Sequence, residues 1–357
     1  MLFRSEMLGF VRQGLEDFSI SREGAGWGIP FPIRADGTSA IAHDGTADPT
    51  AGTIYVWYDA LINYLTGAGF PVSPDGAPWW PADLQIIGKD INRFHSVFWP
   101  AMLWSAGLEA PKQIWVHGWL LSSGERMSKS RGNFLDPDEA VAALGADGVR
   151  FVALREVPFD RDGEVSWDSI IRRYNSELAN DFGNLVNRAV TMAQRSFPDA
   201  APPPRAAATS PLGIAWAVTR TRACDAIGQV ALHEWLGALW ELVGTANRFV
   251  DSEKPWELAK AARDGDAAAH EQLSGVLGDL LETCRLISLY AAPAIPRVAA
   301  QVWELLGHRW PYDEDGHGGP VLEKLGEWVA CVADRPLSSP VPLFPRLERD
   351  EQSPATR

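Results

Sequence analysis

Hydrophobic and polar positions change rhythm every few residues along the first 159 residues. Short apolar runs at 53–57, 84–87 and 113–121, punctuated by Gly and Pro, predict strands with helical patterns between them. That alternation implies an α/β layer of parallel strands with ligand loops at their ends. Beyond Asp168 the period lengthens to that of amphipathic helices, at about 169–196, 211–251, 255–263 and 268–291. The expected architecture is therefore α/β over residues 1–168 and all-α over 169–335. Residues 336–357, rich in Pro, Ser and charge, are expected to be poorly ordered or draped over the surface. Proline has no amide hydrogen to donate, so 196–211, with Pro202-Pro203-Pro204, reads as an interhelical loop.

Composition narrows the class. The 357 residues, 46% hydrophobic and 22% charged, suffice for two cores. No apolar run approaches the roughly 18 to 20 residues that span a bilayer, and the N-terminus has no signal-peptide pattern, so a cytoplasmic address and no membrane partner are expected. Cys224, Cys284 and Cys331 form no Cys-x-x-Cys pair, which argues against a disulfide framework or a zinc site and for free core thiols. A net charge of -14 speaks against indiscriminate nucleic-acid binding, DNA included, while leaving room for a local basic face.

Chemistry concentrates in a few segments. Gly124-Glu125-Arg126-Met127-Ser128-Lys129-Ser130-Arg131-Gly132-Asn133 is a glycine-flanked polar loop between a strand pattern and a helix beginning near Asp136. One central ammonium and two hydroxyls suit phosphate oxygens; the alternative is a solvated basic turn. In the segment from Val56 to Tyr64, Trp57, Leu61 and Tyr64 fall at i, i+4 and i+7 and share one helical face. In the segment from Gly88 to Pro100, Ile91, His95 and Trp99 align in the same way. Either stripe could be plain core, His95 a satisfied interior histidine and Asp90 a helix cap.

The polar loop resembles the Lys-Met-Ser-Lys-Ser signature of class I aminoacyl-tRNA synthetases, with Arg126 in place of the first lysine. The two aromatic segments resemble methionyl-tRNA synthetases, as do Leu178-Ala179-Asn180-Asp181-Phe182-Gly183-Asn184 and Glu253-Lys254-Pro255-Trp256. The resemblance runs from Phe10 to about Gly307. It implies the second half of a doubly wound, Rossmann-like catalytic domain followed by a helical-bundle anticodon-binding domain, and the activity of a methionine-tRNA ligase. By this resemblance Lys129 is catalytic, and Arg126, Met127, Ser128, Lys129 and Ser130 bind ATP, which enters with Mg²⁺. Trp57, Leu61, Tyr64, Asp90, Ile91 and His95 line the methionine pocket, Leu61 standing where some relatives have proline. Trp256, Asn180, Asn175 and Arg248 face the anticodon, with Trp256 stacking on a base. The alternative for Trp256 is a ring packed inward behind Pro255 at a helix start.

None of the seven histidines forms the His-x-Gly-His element of the family, and no zinc-bearing insertion is present. The implied partners are methionine tRNA, ATP, methionine and a separate N-terminal half. The rival reading is a tRNA-binding remnant without catalysis.

Overall fold

The computed structural model describes residues 2–23, 27–34, 36–70, 79–127, 135–312, 322–329, 333 and 335–348. The chain divides into two compact units, Met1–Trp119 and Leu120–Arg357.

The first unit opens with α1 (Leu2–Arg12), followed by β1 (Ser21–Arg22) antiparallel to β2 (Thr53–Ile54). Tyr55 is extended and α2 (Val56–Gly67) starts directly after it. The strand expected over 53–57 therefore ends at Ile54: the i, i+4, i+7 spacing of Trp57, Leu61 and Tyr64 prevails over β-propensity. Gly69, at φ 102°, takes the left-handed backbone that stops the helix from continuing. β3 (Gln85–Gly88) then pairs in parallel with β4 (Ile114–His117), Gln85 opposite Ile114 and Gly88 opposite His117. Their crossover consists of a 3₁₀ turn (Lys89–Ile91), a π-helical segment (Phe94–Phe98) and α3 (Trp99–Ser105). Leu61, Trp99 and Leu103 are the buried centre of this unit, with Tyr64, Trp80 and Phe94 packed around them. The crossover helix is thus clamped to α2 by apolar contact.

The second unit begins with β5 (Leu120–Ser122), β6 (Glu125–Arg126), α4 (Pro137–Arg155) and β7 (Gly163–Glu164). β5 is central, antiparallel to β6 and parallel to β7. The run expected as one strand over 113–121 is therefore two short ones, separated at Gly118 and Trp119. α5 (Trp167–Arg173) starts with a reciprocal cap between Ser166 and Ser169, and a π-helical stretch, Tyr174–Gly183, joins it to α6 (Asn184–Ser196). The bundle continues through α7 (Pro211–Gly228), α8 (Leu232–Glu253), α9 (Pro255–Arg263), α10 (Ala267–Ala291), α11 (Pro296–Leu305) and α12 (Leu322–Leu325). The single helix expected over 211–251 is broken by a turn in which Val230 adopts φ 56°.

α10 is buried all round from Val276 to Ala291, which makes it the axis of the bundle. Its buried charges are paired. Asp279 accepts from the Arg205 amide at 2.8 Å and from Ser210 Oγ at 2.6 Å, while Glu282 and Arg285 form two bonds of 2.7 and 2.8 Å. Arg285 also donates to the carbonyls of Leu325 and Glu327, tying residues 322–329 to the core.

α4 belongs to this bundle: Phe151 lies 4.4 Å from the Trp240 ring, and Asp147 accepts from the Val298 amide at the start of α11. The boundary read from the sequence, after residue 168, falls inside this unit at the start of α5. Residues 336–348 drape over it, with Leu343 and Phe344 buried. Of the cysteines expected in the core, Cys284 is buried and Cys224 is exposed, since its turn of α7 faces outward; Cys331 lies outside the described residues.

Candidate active site

The polar loop is launched from a tight hairpin. Ser123 (φ 55°) and Gly124 (φ 77°) both have left-handed backbone, the requirement of a two-residue turn, and Ser122 pairs with Glu125 across it. The Gly124 amide donates to Glu164 Oε1 at 2.7 Å, fixing the turn to β7. Arg126 is exposed on β6 and Met127 packs against the bundle core. The far side is fixed by Asp136, whose side chain accepts from the Asp138 amide and caps α4 with Pro137 in its first turn. Ser128, Lys129 and Ser130 lie outside the described residues.

In the first unit, five of the six residues assigned to methionine meet where α2 packs on the segment after β3. Trp57 stacks on Phe94, centroids 4.6 Å apart and planes 13° apart. Tyr64 Oη lies 2.8 Å from His95 Nε2, and His95 Nδ1 lies 3.0 Å from the Ile91 carbonyl oxygen. A carbonyl can only accept, so Nδ1 carries the hydrogen and Nε2 accepts from the tyrosine hydroxyl. Burial lowers the histidine's proton affinity and holds it in this neutral tautomer. His95 and Leu61 are each 2% exposed. Leu61 contacts the Trp99 and Leu103 core, so it supports the aromatic wall from behind.

Asp90 stands apart from these five. It is exposed at the carboxyl end of β3 and, with Lys89, Arg22, Tyr55 and Phe94, lines a cavity of about 350 Å³. A methyl group on Gly88 would sit 2.7 Å from Asp90 Oδ1, so the absent side chain at 88 is what lets the carboxylate lie back against the strand.

In the bundle, Trp256 begins α9 behind a buried Pro255 and is 47% exposed, which overturns the inward-packed alternative. Lys254, at φ 44°, turns the chain sharply between α8 and α9 and swings the indole outward. Asn180 is exposed on the π-helical stretch. Arg248 is exposed on α8, donates to Thr245 Oγ1 at 3.0 Å, and lines a groove of about 700 Å³ with Arg155, Arg222, Asp181 and Glu241. Burial, and then the Glu177 charge, raise the Asp181 carboxyl. Asn175 is engaged differently: its amide donates to the Leu347 carbonyl at 2.8 Å and accepts from the Leu347 amide at 2.9 Å.

The family model for tRNA synthetases class I (M) matches residues 2–190, more than half of the chain. The chain belongs to this family. Among curated relatives, methionine–tRNA ligase of Mycobacterium leprae is 38% identical over 98% of this chain and 60% of its own length. That of Thermosynechococcus vestitus is 38% identical over 96% of this chain and 63% of its own length. Among solved structures, Mycobacterium tuberculosis methionyl-tRNA synthetase in complex with methionyl-adenylate superposes with a TM-score of 0.78 at 36% identity, covering 97% of this chain and 63% of that one. The chain thus spans less than two thirds of the length of these synthetases.

Two residues of the chain have no role in the sequence-based expectations although the geometry depends on them. Phe94 is the ring on which Trp57 stacks, and Gly88 makes room for Asp90. A cross-segment aromatic pair leaves no periodic trace within either segment, whereas a glycine ending an apolar strand does signal a close approach.

Proposed function

We propose that the chain serves methionine–tRNA ligase chemistry as the distal part of the catalytic domain, residues 1–168, and the anticodon-binding bundle, residues 169–335. The observation that carries this reading is the cluster of Trp57, Phe94, Tyr64, His95 and Leu61 in a chain of this family. Polarizable aromatic walls around a neutral imidazole suit a thioether. Asp90 at the strand end would hold the α-ammonium group of methionine.

In the first half-reaction the methionine carboxylate attacks the α-phosphorus of Mg·ATP and pyrophosphate leaves, giving methionyl-adenylate. Lys129 would neutralise charge developing at that phosphorus, with Arg126, Ser128 and Ser130 on the phosphate oxygens and Met127 anchoring the loop. In the second, the terminal adenosine of methionine tRNA attacks the acyl carbon and AMP leaves. Trp256 would stack on an anticodon base with Arg248 and Asn180 as polar neighbours. Asn175, occupied with Leu347, would act on RNA through the segment it holds.

A second reading, from the family resemblance of the bundle alone, is a tRNA-binding protein without catalysis, or a subunit that works with a separate N-terminal half. No helix among the described residues is long and apolar enough to cross a membrane, and we place the activity in the cytoplasm. Methionine-dependent exchange of pyrophosphate into ATP, with Lys129→Ala as control, separates the readings. Exchange lost in the variant supports catalysis by this chain, and none in either leaves the bundle as the working part.

A further inference from the structure

The hairpin that launches the polar loop has one donor that it cannot satisfy itself. In a two-residue turn the strand ends bond to each other, here Ser122 with Glu125, and the amide of the second turn residue points outward without a partner inside the hairpin. That amide belongs to Gly124, and its partner comes from another strand: Glu164 Oε1 accepts from it at 2.7 Å, forty residues along the chain. The turn also bears a cost, because Ser123 carries a side chain at φ 55°, where the backbone favours glycine. It is therefore held from outside rather than by its own preference.

Glu164 is seated to do the holding. β7 runs parallel to β5 with Glu164 opposite Leu121, and the Val165 amide donates to the Leu121 carbonyl at 2.9 Å. Val165 is buried, and a methyl group on Gly163 would sit 2.1 Å from Val157 Cγ1, so the strand lies tightly against the chain that follows α4. Two residues after Glu164, Ser166 opens the reciprocal cap of α5, whose Ile170 belongs to the bundle core. Glu164 thus carries the frame of the bundle to the turn, and Met127, three residues beyond Gly124, packs on the same core. Both the carboxylate and the turn are exposed, so their bond adds little to the stability of the fold. What it fixes is position.

We infer that Glu164 is a positioning residue for the proposed adenylation step: its carboxylate sets the hairpin from which the polar loop starts, and with it the point from which Lys129 reaches phosphate. Lys129 follows Met127 by only two residues, so a shift of the turn is passed on to it. A misplacement of about 1 Å caused away from the chemistry is enough to slow a reaction severely. This inference rests on the synthetase reading above and adds to it a residue that touches no substrate.

The test compares the native chain with Glu164→Ala and with Glu164→Gln, which keeps a neutral acceptor oxygen. Hydrogen exchange resolved to single amides reads Gly124, melting temperature reads the fold, and methionine-dependent pyrophosphate exchange reads the reaction. In Glu164→Ala the Gly124 amide should exchange about tenfold faster at unchanged melting temperature, and kcat should fall about tenfold while the KM for methionine stays as it was. Glu164→Gln should recover most of both. Unchanged exchange at Gly124 in Glu164→Ala overturns the inference, and so does a loosened turn with native kcat. A melting temperature that falls along with activity makes Glu164 merely structural and overturns it too. If the native chain exchanges no pyrophosphate, the catalytic reading fails on its own account. Tryptic cleavage after Lys129 then decides the placement of the loop: slowing by ATP in the native chain but not in Glu164→Ala upholds it, and equal rates in the two chains overturn it.

Discussion

Tyr64→Phe tests whether the aromatic wall is held by one hydrogen bond. In the native chain the tyrosine hydroxyl donates to His95 Nε2 at 2.8 Å, and His95 itself is almost fully enclosed. Removing the hydroxyl leaves a buried acceptor without a donor, a loss of about 1–3 kcal/mol. Because Tyr64 is only half-buried, water can partly replace the hydroxyl, and the expected loss is about 1–2 kcal/mol, or roughly 5- to 30-fold in local opening.

The pH dependence carries the sign. Burial depresses the histidine's proton affinity, so the unfolded chain binds a proton near pH 6.5 that the folded chain resists. Stability from this group is complete above about 6.5 and declines as pH falls below it, by up to about 1.4 kcal/mol per pH unit. In Tyr64→Phe the neutral imidazole has lost its donor and protonates more readily. The gap between the two proteins is therefore widest at pH 7.5 and narrows toward pH 5.5. Native-state hydrogen exchange of peptides 56–67 and 94–105 in a urea series measures it. Unchanged protection at pH 7.5, or a gap that grows on acidification, would refute the tautomer and the bond.

Gly88→Ala would set a methyl group 2.7 Å from Asp90 Oδ1 and, on the proposed role of Asp90, should weaken methionine binding several-fold as the carboxylate is displaced; titration calorimetry with methionine checks it. On the proposal that the exposed Trp256 ring stacks on a base, Trp256→Ala should lower tRNA affinity by about 1–3 kcal/mol with little change in melting temperature; filter binding at fixed salt is the measure. Arg285→Met leaves Glu282 charged and buried, so bundle stability should fall by about 3–5 kcal/mol and residues 322–329 should become sensitive to limited proteolysis. Burial pushes the Cys284 thiol up to about 12, so iodoacetamide at pH 8 should alkylate exposed Cys224 and spare Cys284 in the folded protein, as mass spectrometry would show.

The sequence was most legible where one rhythm persists. α9 and α10 begin and end within a residue of the pattern, because an apolar stripe with a proline or aspartate at its start admits few alternatives. It was least legible where the backbone departs from the rhythm without a decisive marker. Val230 takes a left-handed turn that β-branched residues avoid, and Gly228 just before it is a weak marker of the break between α7 and α8, because Gly237 and Gly244 sit inside α8 without ending it. The pairing of Trp57 with Phe94 and of Tyr64 with His95 joins segments some thirty residues apart, a distance periodicity cannot bridge. Resemblance to a family singled out the segments proposed to face methionine, and the geometry then divided them: Leu61 faces the core, while Asp90 lines a cavity whose wall it shares with Phe94.

The wide turns between Tyr174 and Gly183 give the bundle a reserve of chain length. A π turn closes i to i+5 where an α turn closes i to i+4, so each holds one residue more. Two carbonyls in the stretch are bonded from α8, Glu177 by the Trp240 indole at 2.9 Å and Asp181 by Asn247 at 3.1 Å, which braces it from outside its own ladder. Loss of a residue here can be absorbed by tightening one turn, with α5 and α6 keeping their faces. The same loss in α10 would rotate everything beyond it by about 100° and carry buried side chains off the axis. Single-residue deletions should therefore disturb folding less at the junction leading into α6 than in the axial helix, whatever they do to the polar residues that the stretch carries.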